Sequence, residues 1–220
     1  MEHKILYNNS MPEINAKNIE AAGLEFDQLD PNVFLIKNFL SEEECQFFYS
    51  LAESKTEQDW LGDYLEGIKD RVESRYGDRD PDAHNVEVTH DWNDKVIYLR
   101  QVKEIQGLDK RLADLFDKEA NYSFRSFGII QRQYEGSELR GHYDQYVDDR
   151  MKWAAVIYIN DDYTDGEFYF SEKKIAIKPP RKSMLVFPAT EEYWHGVKTV
   201  GAGPVRYAMP SFIWSEPDVF

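Results

Sequence analysis

The sequence is short of cysteine, of long apolar runs and of positive charge. Cys45 is the only cysteine in 220 residues, so an intramolecular disulfide is excluded, and a reducing, cytoplasmic setting is the expectation. No 18 consecutive apolar residues occur, which excludes a membrane-spanning helix. Met1 to Asn9 lacks the basic, then apolar, then small-residue order of a secretory signal. Lys and Arg number 26 against 41 Asp and Glu, a net charge of −15. A nucleic-acid binder needs a basic footprint, and no basic cluster of that size is present. Neither a nucleic-acid nor a membrane partner is therefore expected, and the acid surplus reads chiefly as solubility. No internal repeat or low-complexity tract is found.

What is present is enough apolar material for one core: 42% of residues are hydrophobic and 15% aromatic. Residues 1–220 read as a single domain. Residues 1–30 form a polar, irregular N-terminal extension with a short helix at Ala16 to Ala22. Asn32 to Ile36 reads as a strand. Ser41 followed by Glu44 is a capping box, and Phe47, Phe48 and Leu51 give the helix it opens an apolar face as far as about Ser54. Residues 55–96 are rich in charge and poor in aliphatic side chains, which marks a candidate substrate flap. Leu108, Leu112, Leu115 and Phe116 predict a second amphipathic helix over Gly107 to Ala120.

From Tyr122 the period changes to two. Strands are predicted at Phe127 to Tyr134, Trp153 to Asn160, Glu167 to Phe170, Lys174 to Lys178, Ser183 to Phe187, Tyr193 to Val200 and Val205 to Trp214. They are divided by turn sequences such as Glu135-Gly136-Ser137 and Gly201-Ala202-Gly203-Pro204. Many short strands predict a mainly β (α+β) fold, a sandwich or jelly-roll barrel over 120–215 with supporting N-terminal helices.

The polar residues inside these runs carry the chemistry. His142 and Asp144 stand two apart, so on one strand they would share a face. A second histidine from a distant strand would complete two imidazoles and a carboxylate on one side of a metal, the pattern of non-haem Fe(II) oxygenases. His195, in an aromatic run, is the candidate; packing in the core is its alternative. Arg206 lies in an apolar run, where a guanidinium needs an anionic partner. That partner is either a bound carboxylate, which its planar fork suits, or a protein acid such as Glu167.

His142-Tyr143-Asp144, Val156 to Asp161, Asp165 to Phe170, Met184 to Pro188, His195-Gly196-Val197 and Arg206-Tyr207-Ala208, preceded by Ser41 to Leu51, resemble in their order the prolyl 4-hydroxylase branch of the 2-oxoglutarate/Fe(II) dioxygenases. The resemblance implies a double-stranded β-helix. It implies Fe(II) held by His142, Asp144 and His195, and the distal carboxylate of 2-oxoglutarate on Arg206. Tyr134 and Tyr158 fall where the family places tyrosines at the cosubstrate pocket, and Phe168 and Val197 are its expected apolar walls. The implied cofactor set is Fe(II), 2-oxoglutarate and O₂, with ascorbate as an accessory reductant. The implied reaction hydroxylates a peptidyl prolyl residue and releases succinate and CO₂. The chain departs from the family in carrying Asp165-Gly166 where two glycines are frequent, and arginine at 206 where many relatives carry lysine.

The resemblance leaves free proline or another small molecule as an alternative substrate. Repair of alkylated bases is disfavoured by the net charge and by Phe212, which stands in place of a second arginine. A barrel that only binds a ligand is the alternative from another class. For a peptide substrate, Trp60, Tyr64, Tyr76, Trp92 and Tyr146 could form an aromatic groove.

Overall fold

Ser41 accepts the amide of Glu44 on its hydroxyl, and the Glu44 carboxylate accepts the Ser41 amide at 2.8 Å. Two donors that a helix start leaves unpaired are thereby satisfied. Glu42, Glu43 and Glu44 also lie at the positive end of the helix dipole. The helix so opened, α2 (Glu42–Glu53), buries Cys45, Phe48 and Ala52. Ahead of it, α1 (Ala16–Ala21) is capped by Asn15 and buries Ile19. Residues 108 and 110–113 are helical as well, and the helix ends sooner than the sequence predicts. Residues 114–115 form a turn, and Phe116 leaves the helix to bridge with Ile14.

The computed structural model describes residues 13–56, 59–60, 96–99, 108, 110–116, 122–125, 129–146 and 149–215. The flap expected over 55–96 falls outside them, apart from residues 55–56, 59–60 and Val96.

Twelve strands are described. They are β1 (Glu25–Asp30), β2 (Val33–Lys37), β3 (Val96–Leu99), β4 (Tyr122–Arg125), β5 (Ile130–Gln133), β6 (Leu139–His142), β7 (Met151–Tyr158), β8 (Phe168–Phe170), β9 (Ile175–Ile177), β10 (Met184–Pro188), β11 (His195–Val197) and β12 (Arg206–Ser215). They form two sheets. One runs β1-β2-β10-β7-β12-β5-β3 with β4 also on β12; the other runs β6-β11-β8-β9. The neighbouring strands of both are antiparallel. The larger sheet reaches further toward the N-terminus than expected, because β1 lies in the segment read as irregular. Its sequence, EFDQLD, is half exposed at the sheet edge and shows no period of two.

Alternation along the central strands sorts side chains to two faces. On one, Ile36, Ile157, Met209 and Ile213 pack with Phe48, Leu112 and Leu115 from the helical segments. On the other, Leu35, Ala154, Tyr158, Leu185 and Phe187 meet Phe168, Phe170 and Val197 of the smaller sheet. Each such apolar side chain contributes about 1.5–3 kcal/mol when fully buried. The result is the expected jelly roll, with helices covering one side of the larger sheet and an interior between the sheets. The lone thiol is part of the first layer: Cys45 Sγ donates to the Ile159 carbonyl at 3.0 Å, and burial pushes its pKa up. Among the described residues, no helix is long and apolar enough to cross a membrane.

Two of the five aromatics expected in a peptide groove belong to buried packing instead. Trp60 stacks on Tyr207 at 6.0 Å with the Arg132 guanidinium 4.3 Å from its ring centre. Tyr146 is buried against Tyr143, 5.8 Å away. Tyr64, Tyr76 and Trp92 lie outside the described residues.

Candidate metal centre and anion pocket

Strand pairing brings the two histidines together. His142, the last residue of β6, is the register partner of His195, the first of β11. Directly opposed antiparallel residues stand close, and the imidazole centres are 4.5 Å apart. Asp144 arrives differently from the expectation of a shared strand face. It lies past the end of β6, in the 3-10 turn Asp144–Tyr146, and the turn delivers its carboxylate to the histidines. His142 Nε2 is 3.6 Å from Asp144 Oδ1, and His195 Nε2 is 3.5 Å from Oδ2. One ligand atom from each residue lies within 4.8 Å of the other two.

Each imidazole is oriented from behind. His142 Nδ1 meets the Arg140 carbonyl at 2.9 Å and His195 Nδ1 the Tyr193 carbonyl at 2.8 Å. A carbonyl only accepts, so Nδ1 carries the hydrogen and Nε2 faces the carboxylate, the arrangement of metal-binding histidines. Asp144 Oδ2 is buried and has no hydrogen-bond partner. A carboxylate oxygen with no hydrogen-bond partner, 3.5 Å from an imidazole nitrogen, fits a shared cation, and the donor set suits a facial two-histidine, one-carboxylate site.

The electrostatics agree. Burial pushes Asp144 up, but His195 and His142 outweigh it and hold the carboxyl below its usual value. Burial pushes His142 down, but the Asp144 carboxylate overrides it and the pKa is raised. Burial, reinforced by His142, lowers His195 to about 4. His195 is thus neutral near pH 7, while His142 must give up a proton to a metal. Mn(II) affinity should therefore rise with pH through the raised pKa of His142 and fall by about tenfold per pH unit below it. Calorimetric titrations between about pH 5.5 and 8 test this; a flat profile would contradict it.

Aromatic walls enclose His195. Phe168 stacks on it at 5.2 Å and 14°, and Phe187 meets it edge-on at 4.6 Å. Phe168 and Val197, expected as walls, are both buried in the cluster between the sheets. Beside His195, a Cβ on Gly196 would lie 2.4 Å from the Leu139 carbonyl and 2.6 Å from Tyr169 Oη. Gly196→Ala must push β6 from β11. It should cost about 1–3 kcal/mol in urea denaturation and weaken Mn(II) binding; an unaffected variant would show that the register is slack.

The second group surrounds Arg206, which is 1% exposed at the start of β12. Its Nη1 donates to Gln133 Oε1, from the paired strand β5. The guanidinium lies 5.4 Å from the Tyr158 ring centre and 5.6 Å from that of Tyr163. Arg206 Nε and Nη2, Gln133 Nε2 and the hydroxyls of Tyr158 and Tyr163 are buried without hydrogen-bond partners. Glu167, the protein acid considered for Arg206, lies near Lys198 instead, at 3.9 Å. Burial pushes the Tyr158 phenol up, and that of Tyr163 likewise, so both are protonated donors. A buried cation ringed by unpaired donors is costly unless an anion completes it.

Of the two tyrosines expected at the cosubstrate pocket, Tyr158 lies beside the Arg206 guanidinium. Tyr134 lies against the Arg132 guanidinium, 5.0 Å away, and Gln133 is the residue of that segment that meets Arg206. Side chains alternate along β5, and the Gln133–Arg206 pairing turns 133 inward. Gln133 and Tyr163 were missed by sequence reasoning. The inward parity of Gln133 was a usable signal; Tyr163, in a loop, offered none. The Asp165-Gly166 departure has a simple reading. Both residues are left-handed, at φ 51° and 65°, and aspartate is among the few side chains that tolerate such a turn in place of glycine.

Residues 129–214, which include all four of His142, Asp144, His195 and Arg206, match the family model described as the 2OG-Fe(II) oxygenase superfamily. The region so matched runs from β5 into β12, and the double-stranded β-helix of the chain is shared with solved structures at low identity. A 2OG-Fe(II) oxygenase family oxidoreductase from Burkholderia pseudomallei is similar at TM-score 0.57 and 15% identity, over 90% of each chain. A viral collagen prolyl hydroxylase from Paramecium bursaria Chlorella virus-1, in a 2OG complex, gives 0.54 and 15%, over 84% of this chain and 97% of that one. A prolyl hydroxylase from Trichoplax adhaerens, in complex with a hypoxia-inducible factor peptide fragment, gives 0.57 and 17%, over 90% and 91%. No curated protein is significantly similar to the chain.

Proposed function

We propose that this protein is a 2-oxoglutarate- and Fe(II)-dependent oxygenase that hydroxylates a prolyl residue of a peptide or protein. His142, Asp144 and His195 would hold Fe(II). Arg206 and Tyr158 would hold the distal carboxylate of 2-oxoglutarate, and Phe168 and Val197 would exclude water from the interior between them. The observation that carries this reading is the pairing of two incomplete sites inside one barrel: a carboxylate oxygen lacking a partner among two imidazoles, and a guanidinium lacking an anion. A metal ion and a dicarboxylate complete both.

Bound Fe(II) supplies the O₂ chemistry by which 2-oxoglutarate loses CO₂ to become succinate, while the second oxygen atom enters a C–H bond of the substrate. The protein's own part is orientation. The carbonyls of Arg140 and Tyr193 fix the imidazole tautomers, and Asp144 supplies the negative charge. Arg206 aligns the cosubstrate by a bidentate bond, and the phenylalanines dry the site. The peptidyl substrate is favoured because two of the structural neighbours are prolyl hydroxylases, one of them in complex with a peptide.

The test is anaerobic titration with Mn(II) and then 2-oxoglutarate, followed by aerobic turnover with Fe(II), ascorbate and proline-rich peptides. Metal-dependent binding of 2-oxoglutarate and a peptide gaining one oxygen per succinate support the reading. Metal binding without 2-oxoglutarate would overturn it. Succinate release stimulated by free proline and by no peptide would overturn the peptide substrate alone.

A further inference from the structure

The orphaned polar atoms around Arg206 include the hydroxyl of a tyrosine that the family resemblance does not supply, Tyr163. Nη1 of Arg206 is engaged by Gln133, which leaves the Nε and Nη2 edge of the guanidinium unpartnered. That edge is the fork which grips a carboxylate through both oxygens. A carboxylate offers about four acceptor positions, and a fork fills two. Two further donors can be accommodated. Besides Gln133 Nε2, the structure holds two phenols with unpartnered hydroxyls, their rings at nearly equal distances from the guanidinium, 5.4 Å for Tyr158 and 5.6 Å for Tyr163.

Tyr163 is also fixed in place. The Lys178 ammonium donates to the Tyr163 carbonyl and lies 4.6 Å from its ring centre. The ring is 1% exposed, so it has little room to yield.

We infer that Tyr163 is a positioning residue of the cosubstrate pocket: its hydroxyl donates to the distal carboxylate together with Arg206 and Tyr158, and its pinned ring sets the length of keto diacid the pocket accepts. The inference rests on the proposed binding of 2-oxoglutarate at Arg206. It goes further in assigning a loop residue outside the strands to selection of the five-carbon diacid over its six-carbon homologue.

Tyr163→Phe separates this role from packing. Removing a hydroxyl that has no partner in the free protein leaves the core filled, so thermal stability without ligand should be unchanged or slightly raised. The variant's Mn(II) affinity should equal that of the wild type. The affinity of the Mn(II) protein for 2-oxoglutarate, read by anaerobic calorimetry, should fall by about tenfold or more, the range for loss of a hydrogen bond to a charged group. Tyr158→Phe should show a loss of similar size. 2-Oxoadipate, one methylene longer, should bind the wild type less tightly than 2-oxoglutarate, and Tyr163→Phe should narrow that difference. A Tyr163→Phe affinity within about twofold of wild type, or a loss of stability with affinity retained, would overturn the inference while leaving the proposed function standing. Wild-type protein that binds Mn(II) but not 2-oxoglutarate would overturn both.

Discussion

Asp144→Ala should abolish Mn(II) binding and all succinate release while the fold persists. The three candidate ligands are two imidazoles and this one carboxylate. Without it, a cation would face two neutral nitrogens in a buried site, with no charge to offset its dehydration. The histidines outweigh burial in favouring the native carboxylate, but once it is gone both imidazoles can stay neutral, so no unpaired charge is left buried and the loss of stability should be modest. Circular dichroism should give an unchanged spectrum and a melting temperature within a few degrees of wild type, while calorimetry with Mn(II) shows no heat of binding. Retained metal binding would mean that the ligand set is not His142, Asp144 and His195.

Arg206→Met should lose 2-oxoglutarate while keeping the metal. The side chain keeps its approximate volume and loses its charge, so packing against Tyr158 and Tyr163 survives. Loss of one partner of a buried charge pair costs about 2–5 kcal/mol, so the dissociation constant for 2-oxoglutarate should rise roughly thirtyfold to several thousandfold. Mn(II) affinity should stay at the wild-type value. Stability without ligand should move the other way. In the free protein two guanidinium nitrogens of Arg206 are buried without hydrogen bonds, and replacing a buried ionic group by an apolar one is often neutral or stabilising by about 1–4 kcal/mol. A more stable variant that cannot bind cosubstrate would show that Arg206 is retained for binding at the expense of stability. Unaltered 2-oxoglutarate affinity would make Arg206 a structural residue.

The opposed directions of these effects follow from one property of the barrel interior. The imidazoles and the Arg206 guanidinium are held in place by the protein's own hydrogen bonds. Preorganisation of this kind lowers the ordering cost of binding, and it accounts for the unpartnered Asp144 oxygen and Arg206 nitrogens at these two places.

By itself the sequence determined the composition of the core, the capped helix α2, most strands of the barrel and the residue types of the candidate metal site. These are local properties. Alternation of apolar residues, a capping box and turn dipeptides act over a few positions, and the ordered motifs from His142 to Arg206 sit on successive elements. Only the tertiary structure decided how those pieces meet. The register of β6 against β11 places His142 opposite His195, and a 3-10 turn, rather than a shared strand face, brings Asp144 to them. The register of β5 against β12 turns Gln133 toward Arg206, while Tyr134 lies against Arg132. The 161–166 loop folds Tyr163 under the same guanidinium. β1 escaped detection because a half-exposed edge strand needs no alternating pattern. Long-range pairing was hidden for a related reason: which strand lies beside which is set by the summed burial of the whole interior, and no short stretch of sequence carries that sum.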